Sequence, residues 1–341
     1  MPTGSGTTAQ PVTLALIAER AGVHVSTVSR ALRSPRSTNP RAKTREILAI
    51  AEELGYQPNL MASALRLQRT KAIGILVPRL TDYVLARIYE GIDEQASKLG
   101  WTTYVANTVD DPDLRLQRLE EFLARRPEGM ILGDARLQGD DVLRELKRRA
   151  IPHVLTSRRV HGHLSVTTDD LAGGKLAGQH IAEQGHTTVG IIAGEPYAST
   201  GTERTQGFIE AFTTKGHGDE PLTVESRFDA DGGYRAAQEI LTRQPSTTAI
   251  FACNDTAAIG AMGAVRDSGR RTGHDIAVVG YNDVPFVRML PVPMTSVISP
   301  MHEMGQAAAD ALIRRINGES VRSRRLTPHL SIRESTLLYG N

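Results

Sequence analysis

Thr13 to Leu32 reads TLALIAERAGVHVSTVSRAL. Thr13 is a helix-capping residue type ahead of Leu14, Ile17 and Ala18, which share one helical face, and Ala21-Gly22 supplies the break. From Val25 to Leu32 the residues Val28, Ala31 and Leu32 recur at core spacing, leaving Ser26, Thr27, Ser29 and Arg30 to face outward. A polar turn, Arg33 to Pro40, leads into a third helix from Arg41 to Leu54 with Ile47, Leu48, Ile50, Ala51 and Leu54 as its stripe, and Gly55 ends it. Two helices about a tight glycine-containing turn, braced by a third, form a helix-turn-helix whose second helix stands proud of the surface.

The charge agrees with that placement. Residues 1–70 hold nine Lys/Arg against four Asp/Glu, a balance of +5, whereas 71–341 carry −3. A positive field confined to the first fifth of the chain points to a polyanion partner, with a merely solvated basic face as the alternative. At 341 residues the chain exceeds one ordinary domain, and its 40% hydrophobic and 23% charged residues are those of a globular protein. No apolar run reaches the roughly 18 residues of a membrane span, and 1–11 has neither a basic region nor an apolar core, so a cytoplasmic protein without membrane contact is expected. Cys253 is the single cysteine and lies in an apolar run, where a small buried side chain is expected.

Beyond a linker at 59–70, with a short helix from Leu60 to Leu67, the texture changes to apolar strands alternating with amphipathic helices. Strands are expected at Ile73–Val77, Thr102–Ala106, Gly129–Leu132, His153–Thr156, Leu164–Thr167, Thr188–Ala193, Thr248–Ala252 and Ile276–Gly280. Helices are expected near Val84–Leu99, Asp113–Arg126, Asp140–Arg149, Ala172–Gln184, Glu203–Thr214, Gly233–Thr242, Asp255–Ser268 and Met301–Ile316. Such alternation means parallel sheets covered on both faces, as two doubly wound lobes or one barrel. Polar residues after the strands, among them Gly194-Glu195, Asn254-Asp255 and Tyr281-Asn282-Asp283, favour two open sheets facing each other across a cleft.

At this point the chain resembles the LacI/GalR transcriptional repressors. Thr13 to Leu32 is similar to their helix-turn-helix, and Glu53 to Asn59 (ELGYQPN) with Ala62, Leu65 and Arg66 to the end of their third helix and their hinge helix. Ile73 to Pro78 (IGILVP), Gly91-Ile92, Asp169 to His186, Arg204 to Phe208 (RTQGF), Phe251 to Ala261 (FACNDTAAIGA), Asp275 to Asp283 (DIAVVGYND) and Arg333 to Thr336 (REST) continue the likeness in order. The resemblance implies a small all-α helix-turn-helix DNA-binding domain (12–58) after a disordered tail (1–11), then a hinge helix (59–70). It also implies an α/β two-lobed periplasmic-binding-protein-like core (71–341) with two doubly wound parallel sheets. Lobe 1 would comprise about 71–168 and 299–328, lobe 2 about 169–298 and 329–341.

For DNA, Val25, Ser26 and Arg30 are the positions that would reach base edges, Arg30 facing either guanine or phosphate. Thr27 and Ser29 would position the helix on phosphates; Arg33 adds charge beside the backbone, and Thr13 and Asn59 belong to the same implied interface. In this family the hinge helix enters the minor groove, which assigns Ala62 and Arg66 to contacts there and Leu65 to a wedge between base steps. His24 stands where Ser or Thr usually caps the recognition helix. For the cleft, the resemblance implies Asp82, Tyr83, Val84, Ser157, Thr200, Arg204, Phe228, Asn254, Asp255, Asn282 and Ser299. A guanidinium beside amides, carboxylates and an aromatic face suits sugars and sugar acids. Asn254-Asp255 also suits a helix cap.

Motifs for acyl, phosphoryl and zinc chemistry are missing from the sequence, and His161-x-His163 lacks a third nearby ligand, so neither catalytic residues, a cofactor nor a metal is expected. An α/β enzyme and a solute-binding protein remain the alternatives. The expected partners are an operator in double-stranded DNA, a small-molecule effector (a sugar, sugar acid or similar) and a second copy of the chain, there being no leucine heptads after Thr336 to build a larger assembly.

Overall fold

Helix α1 (Leu14–Ala21) begins where the Thr13 hydroxyl accepts the Leu16 N–H at 3.3 Å, and ends where Gly22 takes a left-handed φ of 62°. Helices α2 (Val25–Arg33) and α3 (Ala42–Glu53) complete a three-helix unit. Ile17, Ala18, Ala21, Val28, Ala31, Ile47 and Ala51 form its buried centre. An exposed ion pair, Arg20 to Glu53 at 3.0 Å, joins α1 to α3.

A computed structural model describes residues 12–33, 41–56, 69–214 and 220–337. Asn59, Ala62, Leu65, Arg66 and the side chain of Arg33 lie outside the described residues, as do the tail 1–11 and the expected helix from Leu60 to Leu67. The chain divides into two units, Met1–Thr70 and Lys71–Asn341.

The second unit holds two six-stranded sheets. Its elements run β1 (Ala72–Val77), α4 (Tyr83–Lys98), β2 (Thr102–Asn107), α5 (Pro112–Ala124), β3 (Gly129–Leu132), α6 (Asp141–Arg148), β4 (His153–Thr156) and β5 (Ser165–Thr168). There follow α7 (Asp170–Glu183), β6 (Val189–Ala193), α8 (Ser199–Thr214), β7 (Leu222–Glu225), α9 (Ala230–Arg243), β8 (Ala249–Ala252), α10 (Asp255–Asp267) and β9 (Ala277–Asn282). The remainder is β10 (Thr295–Ile298), α11 (Met301–Ile316), β11 (Arg324–Leu326), β12 (His329–Ser331) and the short α12 (Glu334–Leu337).

The first sheet is ordered β11-β5-β4-β3-β1-β2 and is parallel throughout; the second, β12-β10-β9-β8-β6-β7, is parallel except for β12. Central strands such as β1 (AIGILV) are buried along their whole length because helices cover both faces. On the first sheet, Ile88 and Ile92 of α4 and Met304, Ala308 and Leu312 of α11 pack on one face, and Leu119, Phe122, Val142 and Leu146 of α5 and α6 on the other. Helices α4 and α11 meet backbone to backbone: a Cβ on Gly305 would lie 2.0 Å from the Ile88 carbonyl oxygen, and one on Gly91 2.2 Å from that of His302.

Strands β7, β10, β11 and β12 were not expected. They are short and lie at or next to sheet edges, where three or four residues with a charged or hydroxyl-bearing face give no apolar run.

Candidate functional site

In the three-helix unit, α2 presents Val25 (37% exposed), Ser26 and Arg30 to solvent, with Thr27 half-buried. Arg30 makes no ion pair among the described residues, so its charge is available to an anion. Ser29 departs from the expected outward face: at 7% exposed it is buried, next in sequence to the core residue Val28. The start of α2 is capped by His24, whose Nδ1 accepts the Ser26 N–H at 3.2 Å and lies 2.9 Å from the Ser26 hydroxyl. The imidazole therefore does what a Ser or Thr side chain does at a helix N-terminus.

In the second unit, the carboxyl ends of β1, β3, β4, β6, β8 and β9 converge on a cavity of about 540 Å³. This is where open α/β sheets place ligands. Asp82, Tyr83, Val84, Ser157, Thr200, Arg204, Phe228, Asn254 and Asn282 line it. Asp255 and Ser299 do not. Asp255 is 1% exposed, accepts from the Ser296 hydroxyl at 2.5 Å and the Val284 N–H at 2.8 Å, and so lies beneath the cleft as a structural acceptor. Burial pushes its carboxyl up to about 7. Ser299 is also buried, its hydroxyl 2.7 Å from that of Thr168, tying together two of the segments that cross between the lobes.

Several liners are held by roles of their own. Asp82 caps α4 by accepting the Val84 N–H at 2.9 Å. Asn254 caps α10 through Ala257 N–H at 3.0 Å and donates to the Phe228 carbonyl at 3.0 Å, which fixes that ring's backbone. The Phe228 ring packs directly on Gly194, where a Cβ would force the ring to move. Arg204 is 6% exposed; its Nε donates to Asp170 at 2.7 Å, its Nη1 to the Cys253 carbonyl at 2.7 Å, and its Cζ lies 3.7 Å from the Tyr281 ring centroid. Burial opposes its charge, and Asp170 together with Tyr281 and Cys253 raises its pKa in spite of this. Nη2 is what remains for a ligand.

The geometry adds residues that sequence reasoning missed. Arg158 donates from both terminal nitrogens to Asp110, at 2.6 and 2.9 Å, a pair 48 residues apart in sequence. Tyr197, Arg227, Asp229 and Phe286 also line the cavity, as does Glu195, which the sequence marks by its place after a strand. The available signal was position: each follows a strand of the second unit or the segment that leaves it. Tyr83 and Phe286, from opposite lobes, meet edge to face with centroids 6.2 Å apart. Four lining residues, Val109, Asp110, Ser157 and Asn282, adopt positive φ without being glycine, and such strain concentrates where ligands bind. Burial raises the carboxyls of Asp82 and Glu195 above the usual range.

Among the described residues, no group of three His, Cys, Asp or Glu is placed to hold a metal, and no helix is long and apolar enough to cross a membrane.

Residues 13–59 match the family described as bacterial regulatory proteins, lacI family, and 70–334 match the periplasmic binding proteins and sugar binding domain of the LacI family. The ribose operon repressor of Haemophilus influenzae is 30% identical, over 94% of this chain and 97% of its own length. The crystal structure of the lac repressor dimer bound to operator and the anti-inducer ONPF superposes with a TM-score of 0.87 at 27% identity, covering 96% of this chain and all of that one. A complex of the transcriptional regulator CelR with cellobiose gives 0.72 at 30% identity, covering 95% of this chain and 99% of that one.

Proposed function

The chain belongs to the LacI family of bacterial regulatory proteins, and on that premise we propose that it is a cytoplasmic repressor that binds a palindromic operator as a homodimer and is controlled by a carbohydrate held between its lobes. The observation that carries the DNA reading is the packed three-helix unit with the exposed Val25, Ser26 and Arg30 on its second helix. Side chains so placed suit base edges and flanking phosphates in the major groove, and a dimer would present two such helices to a two-fold site.

The cleft supports the effector reading. It combines guanidinium, amide and carboxyl groups with the rings of Tyr83, Phe228 and Phe286, the chemistry that fits a polyhydroxylated ring with an apolar face. The similar lac repressor dimer is bound to operator and the similar CelR is in complex with cellobiose, which supports both halves. Effector and operator affinities would be reciprocally coupled, because closing the lobes on a ligand biases one state of the dimer.

The test is a mobility-shift titration. Genomic DNA fragments captured by the full-length protein are titrated with ribose and cellobiose. A carbohydrate-dependent change in affinity supports the reading, whereas capture without sequence preference contradicts it.

A further inference from the structure

We propose that the cleft selects an uncharged, hydroxyl-bearing ligand and discriminates against the carboxylate or phosphate ester of the same sugar; this rests on the cavity being the effector site and narrows what that site takes. The sequence alone left sugars and sugar acids equally suited, because a guanidinium serves both. The structure separates them by what each guanidinium already holds.

The two buried arginines of the lining are each neutralised by a protein carboxylate. Arg158 makes a two-pronged pair with Asp110, and Arg204 bonds Asp170 through Nε. A ligand anion would have to displace those carboxylates or be buried beside them uncompensated, and both are costly in a site removed from water. Arg79 and Arg227 also line the cavity but are exposed, so solvent and salt weaken their pull on an anion.

The remaining groups ask for donors. The buried amide oxygen of Asn282 has no hydrogen-bond partner among the described residues, although it lines the cavity. A buried acceptor left unsatisfied is costly, and a ligand O–H satisfies it where a carboxylate or phosphate dianion has no proton to give. Asp82 and Glu195 line the same space, and neither carboxyl is ion-paired among the described residues. They add acceptors to the lining, and burial holds both carboxyls above the usual range although Arg158, with Arg204 or Arg227, stands nearby. A neutral polyol supplies the donor that the Asn282 amide oxygen lacks, can donate to the remaining lone pairs of Asp82 and Glu195, and brings no charge of its own.

The experiment uses the full-length protein in calorimetric and thermal-shift titrations against matched probes. These are glucose with glucuronate and glucose 6-phosphate, ribose with ribose 5-phosphate, and cellobiose with cellobionate. The expected result is binding of at least one neutral member, with its charged counterpart weaker by at least about tenfold. In D110N, Arg158 loses its countercharge, and the same charged counterpart should recover several-fold relative to the neutral one. Asn tolerates the left-handed backbone at 110, where φ is 59°, so the substitution adds no backbone strain, and a melting curve establishes that the variant is folded before its ligands are compared. An anionic member that binds as tightly as its neutral partner overturns the inference while leaving the carbohydrate reading in place. So does a folded D110N protein with an unchanged ratio. If no probe of either charge binds, the carbohydrate reading itself fails, and the inference with it.

Discussion

The guanidinium of Arg136 lies 3.8 Å from the centroid of the Tyr197 ring, so that a loop of the first lobe sits on a loop of the second. The neighbouring Leu137 N–H donates to the Tyr197 carbonyl at 2.9 Å, and Arg159 N–H donates to the Ser199 hydroxyl at 2.8 Å along the same flank. Tyr197 also lines the cavity, which makes this clasp part of the closed cleft. Removing the Arg136 guanidinium should cost the closed state about 1 kcal/mol, the worth of a partly desolvated cation–π contact. Arg136→Ala is therefore expected to weaken effector binding several-fold and to enlarge the ligand-free protein in small-angle scattering. An unchanged scattering curve together with unchanged affinity would remove the clasp from the account.

Arg204→Ala should abolish the effector response and retain operator binding. It also leaves Asp170 buried without its partner, so a stability loss of about 3–5 kcal/mol accompanies it. Adding Asp170→Asn should recover much of that loss in a melting experiment without restoring the response. A double variant that regains the response would place Arg204 in the framework rather than at the ligand.

His24 caps α2 through its imidazole, so His24→Ala should lower the melting stability of the three-helix unit by about 1 kcal/mol, while His24→Ser should restore the cap in its usual form. Equal melting curves for the two variants would contradict the capping role.

Asp255 is raised to about 7, so the folded protein holds that proton more tightly than the unfolded chain does. The stability it contributes is fully present below the ordinary carboxylate range and declines as pH rises from about 4 through about 7. Asp255→Asn should flatten the stability profile across that window and raise stability at pH 8 by about 1–2 kcal/mol. A parent-like slope in the variant would show that Asp255 remains ionised in the fold.

Leu65→Ala should weaken specific operator binding by at least about tenfold, the loss of a wedge between base steps, and leave effector binding unchanged. Measured by fluorescence anisotropy on the captured operator, undiminished affinity would reject the wedge.

Much of this was legible in the sequence for physical reasons that can be stated locally. The Thr13 cap, the Gly22 break and the apolar stripes of α1 to α3 are encoded within a turn or two of chain, as are fully buried strands such as β3 and β8. Edge strands β7, β11 and β12 were not, because their order comes from pairing with distant segments rather than from their own pattern. The cleft divides the same way. Asn282, which ends β9, and Asn254, two residues past β8, line it as expected, whereas Asp255, the first residue of α10, and Ser299, directly after β10, turn into the protein. The Asp110–Arg158 pair depends on two loops meeting across 48 residues, and no local signal records that meeting.

Selection of genomic fragments by the purified protein at roughly physiological salt, where nonspecific phosphate contacts are suppressed, tests the central claim most directly. The account predicts enrichment of one palindrome, lost when Arg30 is replaced by alanine and released or tightened by a neutral carbohydrate. Binding that is uniform across sequences, and equally weakened by salt for all of them, would contradict it.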